Sequence, residues 1–271
     1  MEHSLYAILW YFLIYAFLGW CLEVVFCTVR TGKWVNRGFL NGPVCPIYGF
    51  GMVIVLMVLG PLVHQPLTLF VGSVLLTNAL ELVTGWALKT LFHTTWWDYS
   101  KQKFNLGGYI CLKFSLAWGL VVMFAVKVIH LPVSRFVDWM PRPVGLALLA
   151  LWLAVLAADV AVTLRTLIGL ERDLGELEKV VAALRKGSDT ISRNLGDAAL
   201  AADEKLEEGR QALPQKLAEL EARRDFLQAR ILDTRLFGAA RLMKAFPAMK
   251  DLRHNELLAE LKETLHERLH R

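Results

Sequence analysis

The sequence predicts an all-α polytopic membrane helix bundle of five spans, residues 1-165, followed by a cytoplasmic helical, partly coiled-coil tail, residues 166-271. Three observations carry this. Hydrophobic residues make up 55 % of the chain and charged residues only 20 %, too apolar a balance for a chain of this length in water. Five runs are long enough to cross a hydrocarbon core, which needs roughly 20 helical residues. The first 165 residues hold 11 Lys/Arg and 6 Asp/Glu, whereas the remainder holds 19 of each, so the whole excess of +5 belongs to the apolar part.

The spans are expected at Leu5 to Cys27, Cys45 to Val63, Leu69 to Phe92, Gly108 to His130 and Pro143 to Arg165. The opening MEHSLY has no basic stretch and the first run carries Glu23 with no small-residue cleavage pattern, so it reads as a retained span and not as a signal peptide. Orientation follows from loop cations. Arg30, Lys33 and Arg37 lie between the first two spans, and Lys101 and Lys103 between the third and fourth. His64-Gln65-Pro66-Leu67-Thr68 has neither Lys nor Arg, and only the connection with Arg135 and Arg142 disagrees. The N-terminus is therefore expected outside, with both long loops and the tail in the cytoplasm.

Those two loops differ from ordinary linkers. Thr31 to Gly51 contains five glycines and two prolines, and His93 to Gly119 mixes Asp98 with three lysines and several aromatics. Gly and Pro permit a non-helical backbone where it is buried or lines a watery cavity, while Trp and Tyr suit the headgroup level. Either the loops anchor at the interface, or they fold into the mouth of the bundle and line one site built from Asn36, Arg37, Asn41, Trp97, Asp98, Tyr99 and Asn105. A faint internal echo, Gly19-Trp20 near Glu23 with Asn41 and Cys45 beyond, against Glu81 near Gly85-Trp86 with Asn105 and Cys111 beyond, would fit a parallel repeat or chance recurrence.

The string from Trp34 through Asn36-Arg37-Gly38-Phe39-Leu40-Asn41-Gly42-Pro43 to Gly49, together with Trp96-Trp97-Asp98-Tyr99-Ser100, Phe104-Asn105 and Gly108-Tyr109-Ile110-Cys111-Leu112, resembles the bacterial family labelled putative ABC-transporter type IV, the CmpB-like permeases. The resemblance covers roughly residues 10 to 125. It implies a multi-helix inner-membrane permease and supplies no list of catalytic residues. ATP-driven transport needs a GxxxxGK[ST] loop to cradle phosphates, and Cys27 and Trp34 stand where Gly32-Lys33 would need Gly and a hydroxyl residue. Any ATPase is expected to be a separate subunit.

Ionisable groups within a bilayer are costly unless paired or neutralised. Glu23, Glu81, Lys113 and Asp159 fall within the expected spans, at mid-depth or toward the cytoplasmic side, so an intramembrane charge cluster is feasible. Glu81 can pair with Lys113, bond Ser115, or handle substrate or protons. A membrane enzyme acting on a lipid or polyprenyl substrate is the alternative, with raw material in His93, Asp98, Tyr99, Ser100, Cys111 and Ser115 but no G-x-S-x-G elbow or HExxH helix, and no catalytic residue is assigned. A scaffold that only anchors the tail is the third reading. Cys21, Cys27, Cys45 and Cys111 have no CxxC spacing and read as small apolar residues, so neither a metal nor a cofactor is expected.

In the tail, Leu167, Leu170, Leu174, Leu177, Val181 and Leu184 form a short seam continuing the fifth helix, with a stop expected at Lys186-Gly187 and a new helix capped by Ser188 or Asp189. Leu206, Leu213, Leu220 and Leu227 keep a seven-residue spacing that Pro214 should kink or restart. The seam serves either self-folding of the tail or a homo-oligomer. Arg235 to Lys250 is basic and apolar without an acid, suited to anionic lipid or to docking on the tail's other helices. Balanced tail charge argues against a nucleic-acid partner. The functional expectation is a permease-like protein handling a small solute or lipid through a cytoplasm-facing polar pocket.

Overall fold

The computed structural model describes residues 4-198, 206-233 and 238-270, of which side chains are placed outside 190-214 and 269-270. Helices dominate: α1 (Leu5–Thr31), α2 (Pro46–Leu59), α3 (Pro66–Phe92), α4 (Leu112–Phe124), α5 (His130–Trp139), α6 (Arg142–Ala198), α7 (Leu206–Ile231), α8 (Ala239–Ala245) and α9 (Asn255–His270). Four stretches are long and apolar enough to cross a membrane, Leu5–Thr31, Pro66–Phe92, Leu112–Trp139 and Arg142–Asp189, while the apolar Pro46–Leu62 is shorter. The chain divides into two compact units, Met1–Arg165 with Leu242–Lys250, and Thr166–Arg241 with Asp251–Arg271.

In the first unit each helix boundary has a local cause. Ser4 caps α1 by accepting the Ala7 amide at 3.3 Å, and Gly32, at φ 69°, ends it in the left-handed conformation that only Gly adopts freely. Pro46 and Pro66 sit at the first position of α2 and α3, where the missing N–H costs nothing. α1 and α2 pack closely because Gly19 lies under the Tyr48 ring and Gly49 lies against the Phe12 carbonyl; small residues let membrane helices approach in this way. Gly119 of α4 similarly admits Phe70 and Val74 of α3. The packed centre comprises Trp10, Leu13, Met52, Val55, Leu69 and Val122, and large apolar residues such as Val25, Met57, Leu75 and Phe124 remain exposed on the helices, as lipid contact requires.

Two boundaries differ from expectation. The fourth span does not begin at Gly108: Gly107 and Gly108, at φ 59° and 76°, form the turn of a small hairpin pairing Asn105–Leu106 with Ile110–Cys111, and two successive positive φ angles are what such hairpin turns demand. The helix starts at Leu112 and continues past His130 to Trp139 through a π-helical turn, Ala125–Ile129. α1 and α3 each span 27 residues and end on a left-handed residue, Gly32 or His93, and a buried Cys45 or Cys111 precedes the next helix in extended conformation.

In the second unit the expected stop at Gly187 is absent: α6 runs unbroken to Ala198, so Ser188 and Asp189 cap nothing. A Cβ at Gly187 would meet Leu217 of α7, so this glycine serves close helix packing. α7 likewise passes through Pro214 without restarting. Leu174, Leu177, Leu227, Ile231, Leu258 and Leu261 are fully buried, and Arg230 with Asp173, Arg223 with Glu176 at 3.0 Å and Arg253 with Glu171 at 2.7 Å link α6 to α7 and to the start of α9. The leucine seam at Leu174 and Leu177 is thus covered by the tail's own helices. The side chains of Leu206 and Leu213, and the residues Arg235 and Phe237 of the basic stretch, lie outside the described residues.

Candidate functional site

The Gly32–Cys45 loop is fastened by its asparagines. Asn36 accepts from the Trp20 indole at 2.7 Å and the Gly38 amide at 2.9 Å, and donates to the Asn41 carbonyl at 2.8 Å. Asn41 donates its backbone and side-chain amides to Asp159 at 3.0 and 2.8 Å, and Gly42 adds a third N–H at 2.7 Å. A carboxylate holding three N–H donors is satisfied without a cation. Thr163, one turn further along α6, accepts a second Asn41 bond at 3.0 Å.

Arg37 and Glu23 approach to 3.5 Å, and the Tyr48 hydroxyl donates to the other Glu23 oxygen at 2.5 Å. Tyr48 is held there by its seat on Gly19, one turn before Glu23. The guanidinium of Arg37 also lies 5.9 Å from the Phe246 ring, within cation–π range. Phe246 packs edge-on to Trp96, and Trp96 packs on Phe39, with centroids 4.9 and 5.1 Å apart. The two long loops therefore meet, with the segment Leu242–Lys250 between them.

The second loop is likewise internally tied. Asn105 donates to the Ser100 and Gln102 carbonyls and accepts the Gly108 amide, which closes the loop around Lys101. Trp97 donates to the Tyr109 carbonyl at 2.8 Å, with its ring over Gly85. Tyr99 stacks on Phe114 at 5.0 Å, and burial pushes its phenol well above the usual range, so it stays neutral. Asp98 is bonded by the Lys250 ammonium at 2.7 Å and by the Ser100 amide at 2.9 Å, and these hold its carboxyl well below the usual carboxylate range. Arg37 and Asp98, expected to hold polar groups of one ligand or each other, instead have separate partners, Glu23 and Lys250.

The four charges expected to cluster in the membrane do not form one network. Glu23 has Arg37 and Tyr48, Asp159 has the Asn41 loop, and Lys113 is exposed with its ammonium 5.9 Å from the Phe114 ring. Glu81 is bonded by the Trp118 indole, but its Oε2 is buried without a hydrogen-bond partner. Ser115, weighed as a Glu81 partner, instead donates to Asn78 at 2.6 Å. Glu81 lines a cavity of about 430 Å³ between α1, α2, α3 and α4, with Tyr15, Tyr48, Trp118 and Phe124 among its walls. Ala125 and Ile129 of the π turn complete it, and such turns recur at functional sites.

Phe246 and Lys250, expected on anionic lipid or on the tail's other helices, instead meet Trp96 and Asp98 of the second loop, and Tyr48 and Trp118 were not expected at a site. Tyr48 stands inside the recognisable string and could have been found there, whereas Phe246 and Lys250 carried no signal linking them to loops some 150 residues away.

The model of the family described as putative ABC-transporter type IV matches residues 10–164, more than half the chain. The chain belongs to this family. No curated protein and no solved structure matches it. The ABC-transporter-type match covers both loops, Glu81 and Asp159, and ends where α6 leaves the first unit. Family membership and the apolar helices together make this a membrane protein with a permease-like role.

Proposed function

We propose that this chain is the membrane subunit of a permease that receives a small solute or lipid in the cavity beside Glu81, reached from the cytoplasmic side. The observation that carries this reading is the Glu81 carboxylate, with one oxygen unpartnered, among the residues lining a 430 Å³ pocket that opens on the side of the helix bundle. Pockets of that size suit small molecules, and an ionisable group at membrane depth marks a functional site more often than a structural one. Arg37, Trp97, Asp98, Tyr99 and Lys113 do not line this cavity, and in this reading they act in the loops on its cytoplasmic side. Asn36, Asn41 and Asn105 shape the loops that present them.

Five spans with the N-terminus outside fit the cation distribution, and α2 with its short extension, about 25 Å long at helical rise, can cross if the bilayer thins around it. With no phosphate-binding loop in the chain, ATP would be used by a separate ATPase subunit. Association of copies through the tail would need a surface other than Leu174 and Leu177, already covered within the chain. The full-length protein, extracted with its partners and released from detergent in native mass spectrometry, should retain a small non-protein mass that Glu81→Gln reduces at least tenfold. Equal retention in both proteins, or none in either, contradicts the reading.

A further inference from the structure

Resting on that reading, the chemistry of the cavity wall narrows the class of ligand. Among the described residues, Glu81 is the only charged side chain on the wall of this cavity, whose surface is otherwise almost wholly apolar. Tyr15, Tyr48, Trp118 and Phe124 present aromatic surface to the same space, and Tyr48 and Trp118 lie with centroids 5.4 Å apart. Aromatic faces with a nearby carboxylate are the recognition chemistry of organic ammonium and phosphonium ions. An anionic headgroup would find no cation on the described wall to hold it, and a plain alkyl chain would leave the polar carboxyl group unanswered.

We infer that the cavity between α1, α2, α3 and α4 binds a lipophilic organic cation, with its charge beside the Glu81 carboxylate and its apolar body between the aromatic walls. A carboxylate in this setting stays charged only beside a cation. The empty cavity therefore holds Glu81 as the acid, and entry of one cation releases one proton to solvent, leaving the net charge of the cavity unchanged. The neighbouring titratable groups are otherwise engaged or neutral. Glu23 is met by Arg37 and Tyr48, the Tyr15 hydroxyl bonds His130 at 3.2 Å, Cys21 is a free thiol, Tyr99 is buried as the phenol, and Lys113 lies over Phe114.

The test uses radiolabelled tetraphenylphosphonium and the full-length protein in detergent, with the neutral triphenylphosphine oxide as comparator. Saturable binding of the cation should weaken by about ten- to a hundredfold in Glu81→Gln, as expected for loss of one charged contact. It should persist in Glu81→Asp, strengthen as pH rises, and release one proton per cation in weakly buffered solution. The cation should also slow alkylation of Cys21, which lines the cavity, and this reads out on the unaltered protein if Glu81→Gln does not fold. Equal binding by wild type and a folded Glu81→Gln, binding of the neutral compound as tight as the cation, or no protection of Cys21 would overturn the inference. If native mass spectrometry still shows a Glu81-dependent mass, the permease reading survives that failure. Binding without proton release would overturn the exchange.

Discussion

Acidic side chains near the hydrocarbon are resolved here one at a time. Asp159 is neutralised by amides, Glu23 by a guanidinium and a phenol, Asp98 by an ammonium, and Glu81 is left with one indole and a cavity. That Asn36, Arg37, Asn41, Asp98 and Glu81 matter was legible from polar residues set in apolar or Gly-rich sequence. Their partners were not, because Lys250 is 152 positions from Asp98 and Asp159 is 118 from Asn41, distances at which sequence carries no pairing signal. The Asp98–Lys250 contact gives a pH prediction. Since the folded-state carboxyl lies below its ordinary value of 3.8, its contribution is complete above about pH 4 and is lost as pH falls through the folded value. Protection of the Phe246 and Met249 amides, whose N–H groups bond within the docked segment, measured as exchange relative to the intrinsic rate at each pH, should therefore fall on acidification below about pH 4. Lys250→Ala should exchange faster at neutral pH and lose that acid dependence; an unchanged profile would remove the pair from the docking.

At the scale of elements, hydropathy located the helices well, since apolar runs of this length have few alternatives to helix in lipid. It failed where backbone detail depended on packing. Gly187 reads as a stop in sequence, yet its missing Cβ is a notch for Leu217, and the Gly107-Gly108 pair reads as apolar span although it forms a hairpin turn. Gly49 makes the distinction testable. A Cβ there would lie 2.5 Å from the backbone carbonyl of Phe12, which cannot swing aside as a side chain could, whereas a Cβ at Gly169 would meet nothing within 4 Å. Gly49→Ala should thus destabilise the α1–α2 pair by about 1–3 kcal/mol through overpacking. Gly169→Ala should be neutral or stabilising by up to about 1 kcal/mol, from helix propensity alone. Unfolding in mixed detergent distinguishes them, and equal effects would mean that α1 and α2 do not meet at Gly49.

For the whole molecule, the arrangement in the bilayer governs everything else: the cavity with its carboxylate and the loops that meet at Phe39 and Trp96 serve a cytoplasm-facing permease only if both loops lie on the inner side. Charge counting supplied this orientation, and the meeting of the two loops agrees with their sharing one side of the bundle. The short α2 is the step on which it turns. If α2 failed to cross, the connection at Gln65 would stay on the side of the first loop and α3 would carry the second loop to the opposite face. Gln65 and Gln102 are both exposed and sit at the two critical places. A single cysteine placed at each in turn, in a background without the four native ones, can be challenged with a membrane-impermeant thiol reagent on right-side-out vesicles. The account predicts rapid modification at position 65 and protection at position 102 until the membrane is opened; modification at 102 with protection at 65 would contradict it.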